Sequence, residues 1–104
     1  MPTSDRGSID PQVEQKFNRL AEEWHRETRL VSSASRMAMH PAYQQIIGMG
    51  PAVIPLILRD LAITRDHWLR ALYSLSGQDP APAAANFDQA VDAWLAWGRE
   101  QGHL

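Results

Sequence analysis

The stretch His40-Pro41-Ala42-Tyr43-Gln44-Gln45-Ile46-Ile47-Gly48-Met49-Gly50-Pro51 constrains this chain most, because its prolines stand where helices open and its glycines where one closes. Trp24 lies before it and Trp68 after it, each inside a segment with apolar residues at helical spacing. Such punctuation selects short helices folded back on one another. Nowhere does a sustained alternation of apolar and polar residues suggest a strand, so the expected class is all-α.

Local signals set the expected elements. Asp10 caps a first helix opened by Pro11, and Val13, Phe17, Leu20, Ala21, Trp24, Thr28 and Val31 form its inner stripe. Arg19 with Glu23, and Glu22 with Arg26, stand four apart on its outer face and can pair. Ser32, Ser33 and Ser35 interrupt the pattern, and a short apolar turn through Met37 and Met39 follows. Pro41 disfavours helical geometry at His40, so a new helix runs from Pro41 to about Ile47, with Tyr43, Ile46 and Ile47 inward. Another spans Pro51 or Val53 to Ala62, with Pro55 near its first position and Ile54, Ile57, Leu58 and Leu61 buried. Thr64 caps the next, with Trp68, Leu69, Leu72 and Leu75 inside and Gly77 at its end. A loop over 78–85 precedes a last helix from Asn86 to Gln101 carrying Phe87, Ala90, Val91, Trp94, Leu95 and Gly98 on one face. The expectation is a disordered leader over 1–9 and one compact helical domain over 10–101, a bundle of about five helices.

A chain of 104 residues can bury one core without metal or disulfide, and it has no cysteine to supply either. No apolar run approaches the roughly 20 residues that span a bilayer, and a polar N-terminus lacks signal-peptide character, so a cytoplasmic chain without membrane contact is expected. Net charge of −2 and a pI near 6.0 make nucleic acid an unlikely ligand. Between Ala71 and Gly98 there is no basic residue, while Asp79, Asp88 and Asp92 are present, a stretch suited either to solvent or to a basic partner.

No motif for chemistry stands out. Of the four histidines, His25 has only Glu22 at metal-binding spacing, a weak pair, and reads as a surface residue, and His40 reads as a helix cap. His67 reads as exposed and His103 as part of a terminal tail. Asp60 and Asp66 fall at a helix end and a helix start, which suits capping. Gly48-Met49-Gly50 lacks the lysine and preceding strand of a phosphate loop. No catalytic residue, cofactor or metal is assigned.

Residues 51–77 resemble a HEAT-type helical hairpin, through Ala52-Val53-Ile54-Pro55-Leu56-Ile57-Leu58 and Arg70-Ala71-Leu72-Tyr73-Ser74-Leu75-Ser76-Gly77. That likeness implies a protein-binding helical surface, although such proteins stack several repeats and this chain offers one. Over Phe17 to Gly98, the pattern of Trp24, Glu27-Thr28, Ser32-Ser33, His40-Pro41-Ala42-Tyr43, Gly48-Met49-Gly50, Trp68, Gly77, Pro80 and Trp94-Leu95 with Trp97-Gly98 resembles an uncharacterised family of small bacterial all-helical proteins. Small bacterial proteins of this kind often act as antitoxins or accessory subunits. The expectation is therefore a non-enzymatic module that binds another protein, a toxin or effector, or a second copy of itself. Its partner groove would be edged by Tyr43 and Trp97, with Arg29 and Arg36 at the rim. The alternative is a small enzyme or ligand-binding domain with a polar pocket around His40, Ser32, Ser33 and Arg36.

Overall fold

The caps expected at Asp10, His40, Gly77 and Asn86 form, and they set element boundaries in a computed structural model that describes residues 10–83 and 85–104. The expected leader, 1–9, lies outside the described residues. Helix α1 (Pro11–Glu27) opens where the Asp10 carboxylate accepts the Gln12 amide at 2.8 Å. It buries Phe17, Leu20, Ala21 and Trp24. It stops earlier than the stripe suggests, since both the amide and the hydroxyl of Thr28 converge on the Trp24 carbonyl and the backbone leaves the helix there. The expected Met37–Met39 turn is a five-residue helix, α2 (Ala34–Ala38), whose Arg36 amide is accepted by the Ser33 hydroxyl.

Helix α3 (Pro41–Gly48) begins at His40, whose Nδ1 accepts the Ala42 amide at 3.0 Å. Gly50, at φ 87°, turns the chain into a single 3-10 turn (Pro51–Val53) that leads into α4 (Ile54–Thr64). Pro55 is the second residue of α4, where an amide would have no helical partner anyway. Thr64 does not cap the next helix. It is the last residue of α4, its hydroxyl donating back to the Asp60 carbonyl, and Arg65 leaves in the left-handed conformation at φ 50°. Helix α5 (Leu69–Ser76) starts only after Trp68 and ends at Gly77, φ 70°. Helix α6 (Phe87–Glu100) opens on a full capping box between Asn86 and Gln89.

The helices form one core, with α1 against α3, α3 against α5, and α4 against both α5 and α6. Gly98 lets α6 approach α4 closely, for a Cβ there would lie 2.7 Å from a Leu58 methyl. At the centre, Trp24 and Trp68 rings meet at 4.4 Å between centroids, and Tyr43 stacks on Trp68 at 5.5 Å and 14°. The segment resembling a HEAT-type hairpin, α4 and α5, packs into this shared core rather than against a second such pair among the described residues. There is no strand among the described residues, and no single helix there is long and apolar enough to cross a membrane.

The acidic stretch of the C-terminal third is partly answered within the chain. Arg65 reaches across to Asp88 and Asp92, at 3.4 and 3.2 Å. The pairs anticipated along α1 are not made; Glu14 instead meets Arg59 of α4 at 3.6 Å.

Candidate functional site

His25, expected on the surface, is half-buried between two carboxylates. It projects from α1 towards the end of α4, where its Nε2 lies 2.7 Å from Asp60 Oδ2 and its Nδ1 2.6 Å from Asp66 Oδ2. Asp60 also accepts the buried Trp68 indole N–H at 2.7 Å. Burial pulls the imidazolium down, but hydrogen bonds and charge from Asp60 and Asp66 outweigh it and raise the pKa of His25 from 6.5 to about 9. Burial likewise opposes ionisation of both aspartates. Hydrogen bonds from His25, with Trp68 on Asp60 and the His67 amide on Asp66, nevertheless hold them below the usual range.

This arrangement ties three segments together and leaves His25 no free lone pair. Doubly protonated, it can neither abstract a proton nor bind a metal without surrendering an aspartate. Its contribution to stability has a defined sign. Because the folded pKa is raised, the stabilisation is fully present below pH 6.5 and disappears as the pH rises through about 9. Equilibrium denaturation should show a loss of about 3 kcal/mol across that window, and a His25→Gln variant should be flat there. Tyr43, raised from 10.0 to about 12 by burial, adds its own loss only above pH 10.

His40 is committed in a different way. Accepting the Ala42 amide keeps a lone pair on Nδ1, so Nε2 carries the hydrogen and donates to Glu27 Oε1 at 2.8 Å. Glu23, Glu27 and His40 place potential ligand atoms within 4.8 Å of one another and could hold a cation by geometry. A metal on Nε2 would move the proton to Nδ1 and abolish the α3 cap, so cation binding and helix capping compete. Of the polar residues of the alternative reading, the Ser33 hydroxyl caps α2, and no serine bonds His40 among the described residues.

The four residues expected to bind a partner are not brought together. Tyr43 is completely buried. Its hydroxyl donates to the His67 carbonyl at 3.1 Å and accepts the Ala71 amide at 2.9 Å, so it does not edge a groove. This corrects the sequence-based reading, and the reason is that α5 has no side-chain cap of its own and takes its acceptor from Tyr43. Trp97 is half-buried on α6, edge-on to Trp94 at 5.2 Å and beside the His103 ring at 5.5 Å. Arg29 and Arg36 are both exposed, but they stand at the α1–α2 corner, apart from α6.

That corner carries a surface the sequence did not single out. Leu30 is 97% exposed and Met39 74%. The segment bearing them is fixed by the Trp24 indole N–H, which donates to the Met37 carbonyl at 2.8 Å, and by the Glu27–His40 contact. Beside it lies an open groove of about 790 Å³, walled by Glu22, Arg26, Arg29 and Met37, with His25 and Asp66 on its floor. The chain matches no protein-family model, no curated protein and no solved structure.

Proposed function

We propose that this chain is a non-enzymatic, cytoplasmic helical module that binds another protein through its α1–α2 corner, in a regulatory or toxin-neutralising role. The observation that carries this reading is the presence, within residues 29–39, of two strongly exposed apolar side chains, Leu30 and Met39, and two exposed arginines, Arg29 and Arg36. Methionine and arginine are both enriched at protein interfaces. The corner is held by hydrogen bonds to Met37 and His40, so little ordering remains to be done on binding. The engagement of both ring nitrogens in His25 and in His40 favours binding over catalysis.

Purifying the untagged protein from its own cells and identifying what accompanies it tests the proposal. A Leu30→Asp, Met39→Asp double variant should lose that partner by about tenfold or more while its helical signal is unchanged, since neither side chain is in the core. Recovery of monomer alone, or a variant that keeps its partner, would refute it.

A further inference from the structure

Three depressions succeed one another along the side of the molecule that the corner opens onto. The first is the groove of Arg26 and Arg29 described above. A second, of about 210 Å³, is lined by Ala34, Leu69, Arg70 and Phe87 and shares His67 with the first. A third, of about 640 Å³, runs between α5 and α6 beside Tyr73, Ala81, Ala90 and Trp94, and shares Leu69 and Arg70 with the second. A furrow in three successive parts suits an extended chain segment better than a compact ligand.

Its charge is uneven. Among the described residues, Arg29 and Arg70 have no carboxylate within 4.0 Å, and Arg70 bonds only the Ser35 hydroxyl, at 3.3 Å. Asp66 on the floor is already matched by the His25 imidazolium. The remaining lining carboxylates, Glu22 and Asp79, stand in the first and third depressions, which leaves the middle, around Arg70, positive. Apart from Arg70, Ser74 and Asp79, the third depression is lined by apolar side chains and Tyr73.

We infer that the furrow binds an extended acidic peptide segment, whose carboxylates meet Arg70 and Arg29 and whose apolar side chain enters the space between α5 and α6. This rests on the protein-binding reading and names the chemistry of the partner. Arginine forks carboxylates with two parallel hydrogen bonds, which would fix the segment's direction as well as its charge.

Selection of a displayed library of random peptides, about twelve residues long, on the full chain tests it. The enriched sequences should be rich in Asp and Glu and carry an aromatic or aliphatic residue towards one end. Their binding, read by fluorescence anisotropy of labelled peptide, should fall about tenfold or more on an Arg29→Glu, Arg70→Glu protein, and lysine-for-glutamate peptides should regain affinity for that variant. Both arginines are exposed, so circular dichroism of the variant should be unchanged. Neutral or basic enriched sequences, no enrichment at all, or equal binding to the variant would overturn the inference. The two readings fail separately: loss of the cellular partner in the Leu30→Asp, Met39→Asp variant with non-acidic selected peptides excludes the furrow's assignment alone, whereas monomer recovered from cells excludes the broader reading.

Discussion

An Asp60→Ala protein is expected to lose about 3–5 kcal/mol of folding stability, most of what a domain of this size commonly has, about 5–15 kcal/mol. One oxygen of this carboxylate serves both the His25 imidazolium and the Trp68 indole, each at 2.7 Å. Truncation leaves Trp68, a wholly buried residue, with an unpaired N–H and leaves a half-buried positive charge with one partner instead of two. Both costs arise at once, at the indole of a buried ring and at the imidazolium beside it. Urea denaturation followed by circular dichroism measures the loss. Replacing His25 by leucine in the same protein should restore part of it, because an absent charge needs no counter-charge. A loss below about 1 kcal/mol would mean that the cluster contributes no more than an exposed ion pair.

Trp24→Ala should cost a comparable amount, about 3–5 kcal/mol, for a different reason. The ring is fully buried and touches Tyr43 and Trp68, so its removal opens a cavity at the centre of the core. Its N–H is also the tie that holds α2, through the Met37 carbonyl. Trp24→Phe separates the two effects. Most of the burial remains, the hydrogen bond goes, and the loss should be about 1–2 kcal/mol, with faster amide hydrogen exchange concentrated in α2. Uniformly faster exchange would place the effect in the core and not at the corner.

How much was legible in the sequence depended on the range of the interaction. Asp10, His40, Gly77 and Asn86 act within a few residues of themselves, and there the expected boundaries agree with the observed ones. The largest errors are of longer range. Asp60 and Asp66 lie 35 and 41 residues from His25, so no local spacing could join them. A signal was present nonetheless: Asp60 is the one carboxylate within the apolar run Ile54–Ile63, and Trp68 on an inner face needed an acceptor for its N–H. Tyr43 was misplaced at a rim because an amphipathic residue looks the same in sequence whether its hydroxyl meets water or another helix. Thr64 was misread as opening a helix, whereas its hydroxyl donates back into the helix it closes and accepts only the Asp66 amide of the loop that follows. At the surface, Leu30 and Met39 continue the apolar pattern of their neighbours and reveal their exposure only once α1 is seen to stop at Glu27.

The phenol of Tyr43 completes the first turn of α5, which has eight residues and no cap of its own. A coil that short is unstable by itself in water. Part of its order is therefore borrowed from α3, through a residue 28 positions earlier in the chain. Whatever displaces that ring would unwind a distant segment, and the furrow wall that begins at Leu69 exists only while the middle of the molecule is intact.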